Sequence, residues 1–281
     1  MKSLLHAAAI GFAVSAIGCA TPVAPGAEVS LASAAGPEGV SPVQIRGHAP
    51  VDHKAQVTAR MHQSVGSRHL EDGKVALAIR ELRAAEELNP ADKWIQLTLA
   101  EAYRRRGLVE DAESHLLTSL AIDPDFQEAR LTLSGLYVQA ERYEEAIVQT
   151  EWLVNDPTFG QPWLALTNQG FAESKLGRST AARKSLQLAT EYHDRYWRAF
   201  LNLAILDAEE GKQLDAIERL EYVTSLEPGP LGTAEANYRL AEIYVSFGNR
   251  DEAITHFDAA ASQRPSGIWG KKSEDYLKRL R

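Results

Sequence analysis

Residues able to carry chemistry are few and scattered. The chain has eight histidines. None stands in the His-Glu-x-x-His spacing that gathers two imidazoles and a glutamate on one helix face around zinc. His62 and His69 are seven residues apart and share a helix face, but no third ligand accompanies them. The run Tyr192-His193-Asp194-Arg195-Tyr196-Trp197 is dense in acid–base groups. It falls between two helical segments, where packing and turn hydrogen bonds account for it. There is no glycine-rich phosphate loop and no nucleophile elbow. The single cysteine, Cys19, excludes an internal disulfide and a thiolate metal cluster. The expectation is a chain with no catalytic residue, no metal and no bound cofactor. A formal charge of −8 also argues against nucleic acid, whose phosphates require a basic face.

The elements around these residues are helical. Of 281 residues, 44% are apolar; Ala, Leu and Glu are abundant, aromatics are sparse and prolines number 12, which favours helix over sheet. No apolar run in the body reaches the ~18 residues of a membrane span. Turn markers recur at Asn89-Pro90, Asp123-Pro124, Asp156-Pro157, Glu227-Pro228 and Arg264-Pro265, and at His193-Asp194 without the proline. Before them stand Ala78, Ala112, Ala146, Ala182, Ala216 and Ala253. Twelve residues earlier come Gly66, Ala100, Ser134, Gly170, Ala204 and Ala241. Between each pair lies a turn glycine, at 73, 107, 177, 211 and 248, replaced once by Glu141.

Two antiparallel helices that cross closely need a small side chain at the contact point of each. The glycine makes the turn between them, and the proline ends the second helix by removing a donor and clashing with the preceding turn. Leu82, Leu116, Leu186, Leu220 and Phe257 fill the gaps between helices. A single hairpin cannot bury its apolar face, so the units must stack. The terminal run Trp269-Gly-Lys-Lys-Ser-Glu-Asp-Tyr-Leu-Lys-Arg-Leu-Arg reads as a cap over the last unit, with Tyr276, Leu277 and Leu280 inward and the cations in water.

This pattern resembles the tetratricopeptide repeat, with units beginning near Ala59, Lys93, Gln127, Trp163, Trp197 and Ala234. The fold the resemblance implies is all-α: a right-handed superhelical solenoid of six helix-turn-helix repeats over 53–265, closed by a capping helix over 266–281. His69 and Glu141 depart from the usual aromatic and glycine, and Glu173 and Asp207 stand where Tyr or Leu is usual. Those two acids are expected to be solvated or locally paired carboxylates at an inter-repeat edge, with a functional role as the alternative. In this family the first helix of each unit lines the inner curve. Carried over by position, the groove comprises Trp94, Leu97, Leu131, Val138, Leu164, Phe171, Leu201, Ile205, Tyr238 and Val245. Such an apolar surface suits an extended or helical segment of a protein partner. Alternatively, a tightly wound superhelix or the amino-terminal tether buries part of it.

Residues 1–18 read as a secretory signal: an early Lys2, then a short apolar stretch. The ending Ala16-Ile17-Gly18-Cys19 resembles a lipobox, although Ala16 stands where Leu or Val is usual. The resemblance implies cleavage before Cys19, which then carries a diacylglycerol and a fatty acyl chain. Three chains anchor firmly where one does not. Ala20, not Asp, follows and leans toward the outer membrane, at its periplasmic face. The alternative is an ordinary signal with a free Cys19. Residues 19–52 comprise the lipidated cysteine and a Pro/Ala/Gly/Ser tether, whose ~30 flexible residues reach roughly 30 Å.

A narrower resemblance rests on Asn155-Asp-Pro157, Trp163-Leu-Ala-Leu-Thr-Asn-Gln-Gly170, Tyr196-Trp-Arg-Ala-Phe-Leu-Asn-Leu203 and Trp269-Gly-Lys-Lys-Ser-Glu-Asp-Tyr-Leu277. These are similar to the type IV pilus biogenesis lipoproteins, pilotins of the PilF, PilW and Tgl kind. That family implies a non-catalytic outer-membrane scaffold of six repeats that helps secretin subunits assemble. Two rivals stand beside it: another envelope adaptor, serving peptidoglycan enzymes, outer-membrane assembly or gliding machinery, and an enzyme whose site the repeats conceal.

Overall fold

The computed structural model describes residues 52–280, so the signal segment, Cys19 and nearly all of the tether lie outside the described residues. Within them the chain forms thirteen α-helices and no strand. Twelve helices make six antiparallel hairpins: α1 (His53–Glu71) with α2 (Val75–Leu88), α3 (Lys93–Arg106) with α4 (Val109–Ile122), and α5 (Gln127–Gln139) with α6 (Tyr143–Asn155). The series continues with α7 (Pro162–Lys175) and α8 (Ser179–Tyr192), α9 (Trp197–Glu209) and α10 (Gln213–Ser225), and α11 (Gly229–Ser246) and α12 (Arg250–Gln263). The last helix, α13 (Ile268–Leu280), packs on α12 and α11 as the first helix of a further hairpin would. The all-α solenoid of stacked hairpins implied by the repeat pattern is therefore observed.

Each hairpin closes in the same way. After the first helix, one residue takes a left-handed conformation: Gly73, Gly107, Gly177, Gly211 and Gly248 have φ between 72° and 79°. The next backbone N–H then turns back to a carbonyl near the helix end, as Leu108 N does to Tyr103 O at 3.0 Å and Lys212 N to Asp207 O at 2.8 Å. This is the Schellman closure, which satisfies carbonyls the helix leaves over. The third hairpin keeps the geometry without the glycine. Glu141 sits at φ 59°, and Arg142 N still reaches Tyr137 O at 2.8 Å.

The small residues mark the helix crossings. Ala78, Ala112, Ala146, Ala182, Ala216 and Ala253 are all fully buried, as are Ala100, Ser134, Ala204 and Ala241. At Gly66 and Gly170 the approach is closer still: a Cβ on either would stand 2.6 Å from Cγ of Leu82 or Leu186. Those leucines, with Leu116, Leu220 and Phe257, are the large side chains that occupy the space the small ones leave. Each contributes about 1.5–3 kcal/mol through burial.

Two first helices start ahead of their units. α1 begins at His53, before Ala59, and α11 at Gly229, before Ala234. In α11 the cause is Pro230 in the first turn, where a fixed φ suits the helix and no donor is wasted.

Layering follows from which helices touch. Every odd-numbered helix contacts the next odd one as well as its sequence neighbours, whereas no two even-numbered helices of the described residues touch. The odd helices therefore form the inner, tighter curve and the even helices the outer one. One continuous buried cluster runs from Ala59 to Ile147 and takes in Ala172. Beyond it the core divides into smaller clusters around Leu166, Leu220 and Phe257.

Candidate functional site: a cavity on the inner curve of the second half

The divided core leaves a cavity of about 560 Å³ whose lining comes entirely from odd-numbered helices. α5 supplies Val138; α7 supplies Thr167, Asn168, Phe171, Ser174 and Lys175; α9 supplies Arg198, Leu201, Asn202, Ile205 and Glu209. Glu235 and Arg239 from α11 and Trp269 from α13 close the far side. A cleft built only from inner helices opens on the concave face.

Of the ten residues placed in the groove by position, the cavity brings together Val138, Phe171, Leu201 and Ile205. Leu201 belongs to its floor more than its surface: only 4% exposed, it packs with Ala204 and Leu220. Tyr238 is a correction. It is 4% exposed because α13 lies over it, bringing Trp269 to 5.0 Å and Tyr276 to 6.1 Å, while α12 sets Phe257 at 5.7 Å, centroid to centroid. The capping aromatics have taken it into the core. Leu97 is half-buried against the continuous first-half cluster, and Leu131 and Leu164 are half-buried outside the cavity. Trp94 remains exposed, edge-on to Phe126 at 4.6 Å with Lys93 above both rings. Val245 is exposed near the end of α11, away from the cavity.

Position in the repeat located the apolar lining but missed its polar partners. Asn168, Asn202 and Arg239 occupy one register, the sixth residue of units four, five and six. That recurrence was visible in the sequence, but the sixth position is not among the family offsets that selected the apolar residues. Asn168 Nδ2 donates to Ser134 Oγ at 3.0 Å, tying α7 to α5. Arg239 Nη1 donates to Glu242 at 3.2 Å while its guanidinium lies 4.9 Å from the Trp269 ring. Burial pushes the Glu235 carboxyl above its ordinary value, with Arg239, Arg198 and Lys272 pulling the other way.

Glu173 and Asp207 are paired but not solvated. Asp207 is 1% exposed, with Arg183 Nη1 2.8 Å from Oδ1 and Arg219 Nε 2.6 Å from Oδ2. Glu173, also buried, accepts from Ser185 Oγ at 2.7 Å and Gln169 Nε2 at 3.2 Å. Both acids point between helices and not into the cavity. They are fastenings.

Among the described residues, His62, His115, His193 and His256 find local partners, whereas the buried Nδ1 of His69 has none. His62 Nδ1 lies 2.9 Å from Glu81, and the His193 ring lies 5.0 Å from that of Trp163, tilted against it, within a turn where Arg195 N donates to its Nδ1 at 3.3 Å. Tyr222 Oη donates to Asp194 O at 2.9 Å, so the Tyr192–Trp197 run serves turn and packing. Among the described residues no three His, Cys, Asp or Glu side chains are grouped to hold a metal, and no helix is long and apolar enough to cross a membrane.

Comparison with known proteins agrees with the geometry. Tetratricopeptide repeat models match residues 69–125 and 209–268. No curated protein matches the chain in sequence. Among solved structures, PilW, a widely conserved type IV pilus biogenesis factor, superposes with a TM-score of 0.66 at 18% identity, covering 76% of this chain and 97% of PilW. PilF of Pseudomonas aeruginosa gives 0.64 at 16%, covering 79% of this chain and 99% of PilF. A tetratricopeptide repeat protein from Parabacteroides merdae gives 0.66 at 20%, covering 79% and 84%. At these identities the likeness is one of fold. The chain thus carries tetratricopeptide repeats in both halves of its solenoid and has the fold of a tetratricopeptide-repeat scaffold.

Proposed function

We propose that this chain is a non-catalytic, lipid-anchored scaffold of the cell envelope that holds a protein partner on its inner curve, and that it serves as a pilotin for secretin assembly in type IV pilus biogenesis. The observation that carries the reading is the stack of hairpins whose length and layout match almost the whole of PilW and PilF. An inner cleft lined by Val138, Phe171, Leu201, Ile205 and Trp269 among polar side chains gives such a partner a place to bury side chains, which is where most binding energy arises. On this reading Cys19 bears the diacylglycerol and fatty acyl chains, the anchor lies in the outer membrane, and the body works in the periplasm at the end of the tether. The partner is then a secretin subunit, and no metal or cofactor takes part.

Complementation tests the proposal. Deleting the gene should abolish the heat-resistant secretin multimers seen as slow-migrating species on denaturing gels. The intact chain should restore them, and a Cys19→Ser chain, released from the outer membrane, should restore them poorly. Normal multimers in the deletion strain would remove the pilotin role, leaving an adaptor for another envelope machine. A Cys19→Ser chain that still fractionates with outer membrane would remove the anchor.

A further inference from the structure

The outer curve carries a cavity of its own, of about 470 Å³, beside α10. No two even-numbered helices of the described residues touch, so gaps stay open on this side of the stack. Asp215, Glu218, Arg219 and Tyr222 of α10 line this one, together with Phe200 from the first turn of α9. The rings of Phe200 and Tyr222 meet edge to face with centroids 4.8 Å apart, and Tyr222 Oη donates to Asp194 O at 2.9 Å, which holds the phenol in place. Asp215 and Glu218 are exposed, and neither stands within ion-pair distance of a cation among the described residues. Arg219 is already engaged, its Nε 2.6 Å from Oδ2 of Asp207. Leu214, one helical turn before Glu218, is 74% exposed.

Unit three shows what this place holds when the chain fills it from within. Phe200 and Tyr222 are the fourth and twenty-sixth residues of unit five; in unit three those positions are Arg130 and Trp152. There the Arg130 guanidinium lies over the Trp152 ring, 4.0 Å from its centroid. Unit five keeps an aromatic ring on the second helix and sets two unpaired carboxylates beside it, but a phenylalanine stands where the cation was.

We propose that this outer cavity binds an arginine side chain of a partner protein, with an apolar neighbour of that arginine resting on Leu214. Asp215, Glu218 and Tyr222 are spaced three and four residues apart, so all three share one face of α10. A guanidinium suits that face: it is planar, stacks on aromatic rings and pairs with carboxylates through a fork of donors, whereas an ammonium offers a point charge. An occupant on the outer curve leaves the inner cleft free, so the inference stands apart from the groove reading above.

The net charge of −8 attracts cations everywhere on the chain, so the test must separate this cavity from the general field. It uses two fluorescent, end-blocked pentapeptides titrated with the full chain: Gly-Leu-Gly-Arg-Gly, and the same peptide with citrulline, the uncharged isostere, in place of arginine. The arginine peptide should bind at least about tenfold more tightly. The double variant Asp215→Asn with Glu218→Gln should abolish that preference with unchanged circular dichroism, Tyr222→Leu should reduce it, and Leu214→Ala should weaken both peptides. The control double variant Asp251→Asn with Glu252→Gln removes the same charge from α12 on the outer curve and should leave the preference intact. If the control erodes the preference as much as the cavity variant does, the attraction belongs to the overall charge and the inference falls. Equal binding of the two peptides, or binding of neither, also overturns it, while secretin multimer formation remains the separate measure of the pilotin reading.

Discussion

The junction between units two and three and the junction between units four and five solve one problem with opposite charges. In the first, Glu113 on α4 accepts from Tyr137 Oη on α5 at 2.8 Å and pairs with Arg142 at 2.5 Å. In the second, Arg183 on α8 pairs with Asp207 on α9 at 2.8 Å and donates to Glu210 at 2.8 Å. Glu113 and Arg183 occupy the same place in their units, as do Tyr137 and Asp207. Each junction thus ties an outer helix to the next inner helix. The difference lies in what is buried. The tyrosine brings a large apolar body and a neutral hydroxyl, and it belongs to the continuous core of the first half. The aspartate brings a full charge and little volume, in the half whose core is divided and whose inner curve opens into a cavity. The first half reads as a platform. The second accepts the cost of buried polarity and gains a receptive inner face.

Asp207→Ala should disturb the second junction most. Removing one partner of a buried ion pair leaves the remaining charges without compensation, and such losses typically cost about 3–5 kcal/mol. Arg183 and Arg219 are partly exposed and recover some hydration, so the expected loss is near the low end, about 3 kcal/mol. Urea unfolding followed by circular dichroism measures it. A change under about 0.5 kcal/mol would show the aspartate to be as dispensable as an ordinary surface residue.

At the corresponding place in the other junction, Tyr137→Phe should be milder. The ring stays in the core and only the hydroxyl is lost, while Glu113 keeps Arg142 as its partner. A neutral donor to a charged acceptor contributes roughly 1.5 kcal/mol, about half the effect of Asp207→Ala. The same hydroxyl yields a titration marker. Burial and the bond to Glu113 raise the Tyr137 pKa well beyond the ordinary phenol range. Because that folded pKa is raised, phenolate formation is deferred. Tyr137 should stay protonated through pH values at which free tyrosine ionises, and stability tied to its proton fades only at strongly alkaline pH. Ultraviolet difference spectra of wild type against Tyr137→Phe would reveal an ordinary titration near pH 10, were the hydroxyl free.

Much of this fold was legible because the repeat imposes chemistry at fixed places. Ala78, Ala112 and their equivalents must be small, and Gly73 and its equivalents must be left-handed, so both could be read in order along the chain. Position in the repeat also located Val138, Phe171 and Ile205 on the inner curve. It failed for Tyr238, because which inner residues stay open depends on what lies over them, and α13 supplies rings that no single unit encodes. It failed to anticipate the burial of Asp207, because a carboxylate in a sequence looks alike in water or between two arginines. Arg183 and Arg219 lie 24 residues before it and 12 after it, and only the packing of α8 and α10 against α9 brings them together.

The smallest expected effect concerns the one turn that keeps its shape with the wrong residue. Glu141 holds φ at 59°, left-handed like its five glycine counterparts, which lie between 72° and 79°. For a residue with a Cβ, that conformation costs roughly 1–2 kcal/mol. Glycine removes the strain but loses more backbone entropy on folding, a term of roughly 0.5–1 kcal/mol. Glu141→Gly should therefore stabilise the chain by about 0.5–1 kcal/mol, the difference between the two. Since the closing bond from Arg142 N to Tyr137 O already exists, no new contact forms, and the gain should appear without any change in the urea dependence. A loss of stability would instead mean that the Glu141 side chain contributes more than its backbone costs. The third unit would then be held by a surface interaction, unlike the five whose turns are held by glycine alone.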